Sequence, residues 1–205
     1  MTKVDFKKTL KPLYAPGKKE FELIEVPAMQ FVMIDGHGDP NTAATYQQAV
    51  ESLYAVAYKI KFISKKQYDK DYTVPPLEGL WWADDMRTFV SRAKSEWDWT
   101  MMIMTPDWIS TETFTQAVHE VRKSKDPVAL DLVRLETYDE GLSVQIMHLG
   151  SYDEEGPTIA RLHNEFLPDN DLVENGKHHE IYLSDPRRTA PEKLKTVLRQ
   201  PVRKA

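Results

Sequence analysis

Hydrophobic side chains recur at three- and four-residue steps through the segment that begins at Thr42. This spacing puts them on one face of a helix. The positions on that face are Tyr46, Ala49, Val50, Leu53, Ala57 and Ile60. A second helix is predicted further along, with Ser110 or Thr111 as its N-cap and a Lys-rich end before Pro127.

Apolar runs bounded by Pro, Gly and Asp predict strands on either side of the first helix. We expect a short edge strand from Phe21 to Pro27 and a second strand from Gln30 to Asp35. After the helix, the run LEGLWW predicts a strand that pairs with WDWTMMIMT. The connection between these two, from Asp84 to Glu96, is expected to be short and irregular or helical.

The last third of the chain shows a similar succession of patterns. The run VRLETYDEGLSVQIMHLG predicts a hairpin that turns at Asp139-Glu140-Gly141, where Gly tolerates a positive φ. The run PTIARLHNEFL predicts a helix, and HHEIYLSD predicts a strand. A weak final helix is expected near EKLKTVL.

A faint internal repeat indicates the fold class. The segments Met33–Asp39 and Met147–Asp153 share Met, Gly and Asp at equal spacing, and each ends a strand and precedes a helix. The strand that follows each helix carries a glutamate, Glu78 or Glu180. We therefore expect an α+β fold of two ββαβ halves that form one pseudo-symmetric sheet, with helices on one face and a concave ligand pocket on the other.

The same pattern predicts one domain over residues 1–205. Its expected parts are an N-terminal arm over residues 1–17, a first half over about 18–125 and a second half over about 126–205.

Composition excludes several classes of protein. The 205 residues carry a formal net charge of −5, which offers no general attraction to phosphate backbones, so we expect no direct nucleic-acid binding. Cysteine is absent, which excludes disulfides, thiolate zinc sites and cysteine nucleophiles. Charges interrupt the first residues, and no run approaches the ~20 apolar residues of a membrane span, so a cytoplasmic protein without membrane contact is expected.

Aromatic and acidic residues provide the candidate chemistry. Five Trp occur in one stretch, and Trp with Met can line a pocket for flat molecules, although each ring can equally be core. In HHEIYLSD, His178, Glu180 and Tyr182 share one face of the strand by alternation. If Ile181 and Leu183 pack on the helices, Glu180 and Tyr182 line the concave face. A pocket with carboxylates and aromatic walls suits planar aromatic or cationic ligands.

Other chemistries find no support in the sequence. His178 and His179 are adjacent on a strand and face opposite ways, and no metal-ligand spacing occurs, so we expect no metal. No Walker A loop, GxGxxG or GxSxG is present, and no cofactor is expected.

The chain resembles the stand-alone GyrI-like small-molecule-binding proteins of bacteria over nearly its whole length. The segments that carry the resemblance are VPAMQFVMIDGHGDPN, SLYAVAYKIKF, VPPLEGLWW, IMHLGSYDEEGPTIARLHNEF and KHHEIYLSDPRRTAPEKLKTVLRQPV. The resemblance implies a duplicated SHS2-type fold. In relatives the module is the drug-binding domain of MerR-type and AraC-type regulators or a gyrase inhibitor, but this sequence shows no helix-turn-helix segment.

The resemblance also implies a function, because some stand-alone GyrI-like proteins hydrolyse cyclopropanoid genotoxins. The pocket glutamate of that subgroup matches Glu180, and its strand-end hydroxyl matches Tyr152. The candidate ligand-binding residues are Trp81, Trp82, Trp108, Glu78 and Tyr182. Which of the tandem Trp residues faces the pocket stays open, as does the oligomeric state. The alternative is a module that binds and sequesters drugs or effectors without turnover, or that acts on gyrase.

Overall fold

A computed structural model describes residues 2–85, 88 and 91–205. The chain divides into two compact units, and each draws on two separate parts of the sequence. Unit 1 contains residues 1–9 and 29–138, and unit 2 contains residues 10–28 and 139–205. The single domain and the bounds of its two halves stay predictions.

The sheet of unit 1 is antiparallel, with strand order β3-β4-β2-β5. Its strands are β2 (Met29–His37), β3 (Leu77–Trp82), β4 (Asp98–Thr105) and β5 (Arg134–Tyr138). The expected pairing of LEGLWW with WDWTMMIMT is confirmed, because Trp81 lies opposite Trp99. The connection expected from Asp84 to Glu96 lies partly outside the described residues, and its last three residues form the 3-10 turn Lys94–Glu96.

Helices cover one face of this sheet. Helix α3 (Ala44–Gln67) packs on β2 and β4, and α4 (Thr111–Ser124) packs on α3. The predicted apolar face of α3 is confirmed, since Leu53, Ala57 and Ile60 are buried. The capping prediction for α4 is confirmed as well, because the Ser110 hydroxyl accepts a hydrogen bond from the backbone N–H of Thr113. The N-terminal residues of unit 1 include the short helix α1 (Phe6–Thr9).

The strands of unit 2 also pair antiparallel, in the order β1-β6-β9-β8, with β7 paired to the far end of β9. The strands are β1 (Glu22–Val26), β6 (Gly141–Leu149), β7 (Leu172–Glu174), β8 (His178–Tyr182) and β9 (Lys195–Lys204). The short helix α2 (Lys11–Tyr14) belongs to this unit.

A helical segment covers one face of the unit 2 sheet. It consists of α5 (Gly156–Arg161), a π-helical turn (Leu162–Phe166) and α6 (Leu167–Asp169). The helix predicted for PTIARLHNEFL is therefore confirmed. Leu162 and Leu167 form an apolar core with Val144 on β6, Val202 on β9 and Leu172 on β7.

Two expectations are wrong. The hairpin predicted around Asp139-Glu140-Gly141 does not form, because β5 pairs with β2 in unit 1 while β6 pairs with β1 and β9 in unit 2. The final helix predicted near EKLKTVL is instead the 3-10 turn Pro191–Lys193 followed by β9. In both places, long-range strand pairing prevailed over the local turn and helix propensities.

The expected α+β class is confirmed: each unit consists of an antiparallel sheet with helices on one face. The pseudo-symmetry of the two halves stays a prediction.

Candidate functional site

The candidate site in unit 2 is built around the carboxylate of Glu180 on β8. Its side chain is 15% exposed, and its Oε2 atom accepts a hydrogen bond of 2.7 Å from the Tyr182 hydroxyl. Strand alternation puts both residues on one face of β8, as expected. The hydrogen bond fixes one carboxylate oxygen of Glu180 and thereby orients the other.

Tyr152 joins this group from the 3-10 turn Tyr152–Glu154, which connects β6 to the helical segment. Its ring meets the Tyr182 ring edge-on, with centroids 5.6 Å apart. Burial, together with the negative charges of Glu155, Glu180 and Asp185, raises the pKa of Tyr152 to about 12. The phenol is therefore neutral near pH 7 and can donate a hydrogen bond.

A capping box holds the turn that carries Tyr152. The Glu154 carboxylate accepts hydrogen bonds from the backbone N–H and the hydroxyl of Ser151, each at 2.9 Å. These bonds lower the pKa of Glu154. The turn is thus fixed by local chemistry that SYDE encodes.

His178 extends the site on the same face of β8. Its side chain is 8% exposed, and its Nε2 atom lies 3.6 Å from Oε1 of Glu180. Neither ring nitrogen has a hydrogen-bond partner among the described residues, and the same holds for the Oγ1 atom of Thr196. Thr196 lies on β9 opposite Tyr182 and is fully buried. A buried polar atom without a partner costs about 1–3 kcal/mol.

Sequence reasoning placed His178 on the face of Glu180 but gave it no role. It also missed Glu155, whose buried carboxylate lies near enough to Tyr152 to raise the pKa of that phenol. The signal for His178 was the alternation of HHEIY. Glu155 had no sequence signal, because its position depends on how the helical segment packs.

The site lies on the helix-covered face of the unit 2 sheet, which corrects the expectation that Glu180 and Tyr182 face away from the helices. Glu180 lies opposite Leu198 on β9. By alternation Leu198 shares its face with Val202, which packs against the helical segment. The apolar partner Ile181 is buried on the other face.

That other face is not an open concave surface around β9, because it holds a buried ionic network. Glu140 accepts from Arg199 at 3.1 Å and lies 2.9 Å from Nδ1 of His179. Arg199 also donates to Gln145 and to the backbone carbonyl of Leu13. Although burial raises the pKa of Glu140, the charges of His179 and Arg199 outweigh it and leave that pKa below its ordinary value. His179 is therefore part of this buried network and not of the candidate site.

The expected second carboxylate, Glu78 in unit 1, is fully buried. It lies on β3 opposite Met102, on the face away from α3, whereas Glu180 lies on the helix-covered face of its own unit. Glu78 and Glu180 are therefore not at corresponding positions with respect to their helices, which corrects the expectation from the repeat. The tandem Trp residues lie on opposite faces of β3: Trp82 shares the face of Glu78, and Trp81 stacks on Tyr46 of α3.

The Trp side chains expected to wall the pocket make clear contacts within unit 1. Trp81 is 4% exposed and stacks on Tyr46 of α3. Trp108 donates a hydrogen bond of 3.0 Å from its indole N–H to the Ser64 hydroxyl and packs against Phe6 and Tyr72. Trp81 is therefore a core residue, Trp82 and Trp108 are half-buried, and a role for any of the three in ligand binding stays a prediction.

A separate cavity of about 370 Å³ lies in unit 2. Its lining residues are Lys18, Ile146, Met147, His148, Leu149, Glu154, Thr158 and Arg161. None of the predicted site residues lines it, so we place the candidate site by the Glu180 contacts and not by this cavity.

Two negative observations apply to the described part of the chain. It contains no group of three or more His, Asp or Glu side chains arranged to hold a metal ion. Nor does any helix within it combine the length and the apolarity that crossing a bilayer requires.

The chain combines an α+β fold with a half-buried cluster of Glu180, Tyr182 and Tyr152. A family model, the GyrI-like small molecule binding domain, matches residues 19–203. The chain belongs to this family, which confirms the resemblance seen in the sequence.

Solved structures support the assignment. The chain is 44% identical to an uncharacterized conserved protein from Listeria innocua, with a TM-score of 0.90, and the match covers 98% of this chain and 100% of that one. It is also 44% identical to a hydrolase from Listeria innocua, with a TM-score of 0.85 and the same coverage. The EcmrR C-terminal domain, at 10% identity and a TM-score of 0.57 over 91% of this chain and 98% of that one, shares the fold alone. The comparison with curated proteins found no match.

Proposed function

We propose that the protein binds planar aromatic or cationic small molecules at the Glu180 cluster and adds water to those that are electrophilic. Cyclopropanoid genotoxins are the proposed substrate class, and the biological outcome is their detoxification. The observation that carries the proposal is the Glu180 carboxylate, partly exposed and oriented by the Tyr182 hydroxyl at 2.7 Å beside a neutral Tyr152. The 44% identity to a hydrolase from Listeria innocua supports a hydrolytic reaction.

The reaction needs few groups because the substrate supplies most of its driving force. Water attacks a carbon of the strained three-membered ring, and its oxygen forms the new C–O bond. The ring C–C bond breaks, and its electron pair moves through the conjugated system to the dienone oxygen, which becomes a phenolate. Glu180 accepts the proton that the water loses, and the phenolate takes up a proton to give the aromatic phenol.

The two tyrosines assist in different ways. The pKa of Tyr152, raised to about 12, keeps its phenol protonated near neutral pH, so that it can donate a hydrogen bond to the water or to the dienone oxygen. Tyr182 holds Oε2 of Glu180, which leaves Oε1 to meet the water. Holding the reacting groups in this geometry replaces an encounter in solution with an oriented one.

Binding without turnover is the second candidate function. It is favoured by the family itself, whose description is small-molecule binding and not catalysis. In that case the charge of Glu180 attracts cationic ligands, and no bond is made or broken.

Turnover distinguishes the two functions. Purified protein is incubated with a cyclopropanoid compound, and mass spectrometry follows the appearance of the product that has gained one water. We expect Glu180→Gln to lower the rate by about 100-fold to 10,000-fold, the usual contribution of general-base assistance. Tyr152→Phe should cost less, because it removes one hydroxyl from an otherwise intact site.

Glu192→Gln is the matched control, since it neutralises an exposed carboxylate of the same unit. It should keep the wild-type rate. A wild-type rate in Glu180→Gln would remove Glu180 from the mechanism, and Glu78→Gln would then be the next variant. If the wild type gives no hydrated product but binds the compound, the sequestration function stands.

A further inference from the structure

We propose that His178 determines the specificity of the Glu180 site by setting the charge that a ligand meets there. This inference rests on the proposed ligand site. Neutral His178 leaves the Glu180 carboxylate with its full negative charge, which favours cationic ligands. Protonated His178 pairs with that carboxylate, and the site then favours neutral planar ligands.

The geometry around Glu180 supports this role. One carboxylate oxygen is already engaged by Tyr182 at 2.7 Å, while the other lies 3.6 Å from Nε2 of His178. This separation is longer than a hydrogen bond, yet the two atoms belong to one face of one strand and are both largely buried. A small side-chain movement therefore forms a charge-assisted hydrogen bond once the imidazole carries a proton.

His178 has no other hydrogen-bond partner among the described residues that would hold its imidazole in place. Its two ring nitrogens have no hydrogen-bond partner among the described residues, so no competing bond fixes its protonation state. In contrast, Nδ1 of His179 is hydrogen-bonded to Glu140 at 2.9 Å. Imidazole is the side chain whose charge ordinarily changes between pH 5 and 8, which sets the pH range of the test below.

Several charged or titratable groups surround the imidazole. Glu180 and Tyr182 lie on its own strand, and Glu174 on β7 interacts with it electrostatically. The Glu174 carboxylate is also paired with His163 of the helical segment. The Tyr152 turn contributes the phenol and Glu155, which interact with Glu180 as one cluster. Among the described residues, Glu180 is the carboxylate at ion-pair distance from His178, at 3.6 Å.

The test uses the fluorescence of ethidium, a permanently charged planar cation, titrated into the full-length protein between about pH 5 and 8. We expect the wild type to bind ethidium about tenfold or more weakly at the acidic end. His178→Phe keeps a flat ring without nitrogens, and His178→Gln keeps polarity without titration. In each variant the affinity for ethidium should not change between about pH 5 and 8. A neutral planar aromatic should show no loss of affinity at low pH in any variant.

His163→Gln is the matched control, because it removes a histidine that pairs with a carboxylate of the same unit. It should keep the wild-type pH profile. A wild-type profile in His178→Phe and His178→Gln would overturn the inference. Thermal unfolding of each variant confirms that it is folded.

A second readout needs no ligand. Nuclear magnetic resonance follows the protonation of the His178 imidazole in the wild type and in Glu180→Gln. Because the carboxylate stabilises the charged imidazole, we expect the midpoint to move to lower pH in the variant. Equal midpoints would overturn the inference. If ethidium binds at no pH, the proposed function is contradicted. The midpoints of His178 protonation in the wild type and in Glu180→Gln would still show whether His178 pairs with Glu180.

Discussion

On the helix-covered side of the unit 1 strands, the Trp99 ring packs directly on the backbone of Gly36. Gly36 on β2 lies opposite Trp99 on β4, and the Trp99 indole covers the glycine. Trp99 is 1% exposed, donates a hydrogen bond of 3.2 Å to the Gly38 carbonyl and meets Tyr46 of α3 edge-on. A Cβ atom at position 36 would overlap the six-membered ring of Trp99. The glycine is therefore required for space and not for backbone conformation.

Gly36→Ala should destabilise the protein by about 1–3 kcal/mol, the usual cost of overpacking. The free energy of unfolding from urea titration measures the effect, and near-ultraviolet circular dichroism reports whether Trp99 moves. Gly17→Ala is the control, because a Cβ there would meet no atom within 4 Å. Equal stability of the two variants would show that the Trp99 ring relaxes at no cost.

At the scale of elements, strands β8 and β9 present opposite chemistry on their two faces. One face carries the candidate site, with Glu180 opposite Leu198. The other carries Arg199, which pairs with the Glu140 carboxylate and donates a hydrogen bond to the backbone carbonyl of Leu13 in α2. The network therefore ties the segment around α2 to the middle of the sheet.

Glu140→Gln should lower the free energy of unfolding by about 3 kcal/mol or more at pH 7, because it leaves the buried Arg199 charge without compensation. The pKa of Glu140 lies below its ordinary value in the folded protein. The stability that its charge contributes is thus present above the ordinary carboxyl pKa of about 4.3 and is lost as the pH falls through the lowered value.

Urea unfolding of wild type and variant at several pH values checks this prediction. The difference between them should shrink as the pH falls below about 4. Glu136→Gln, which removes an exposed carboxylate paired with Arg134, is the control and should cost less than about 1 kcal/mol. A difference for Glu140→Gln that stays constant with pH would contradict the assignment.

At the scale of the whole molecule, the chain builds each unit from segments that are distant in sequence. Strand β1 precedes β2 directly but pairs with β6 in unit 2, and β5 precedes β6 directly but pairs with β2 in unit 1. Unit 2 also depends on residues 10–28 for Phe21, which packs on its apolar core. Removal of one N-terminal segment should therefore affect one unit more than the other.

A chain that begins at Met29 should lose order mainly in residues 139–205, because unit 2 then lacks β1 and the Leu13 carbonyl that Arg199 binds. Hydrogen-deuterium exchange with mass spectrometry measures the loss of protection along the chain. A chain that begins at Leu10 is the control. It loses α1, the bridge of Val4 to Tyr72 and the contacts of Phe6 with Tyr72 and Trp108, so exchange should increase around Tyr72 and Trp108. Uniform loss of protection in both truncated chains would contradict the division.

The sequence by itself determined the features that depend on local spacing. The apolar face of α3, the Ser110 cap of α4 and the pairing of β3 with β4 follow from periodicity and capping chemistry. Alternation along β8 likewise put His178, Glu180 and Tyr182 together, and the family resemblance selected Glu180 and Tyr152.

Only the tertiary structure decided which partner each segment meets. The hairpin prediction was wrong because a turn signal does not determine which strands its two arms pair with. The prediction of a final helix was wrong because β9 pairs with a strand on each side, and this pairing outweighs the modest helix propensity of EKLKTVL. The face of Glu180 that the helices cover, the burial of Glu78 and the Arg199 network also depend on contacts between residues distant in sequence. Periodicity in the sequence predicts which side chains share a face, but tertiary packing decides which element covers that face.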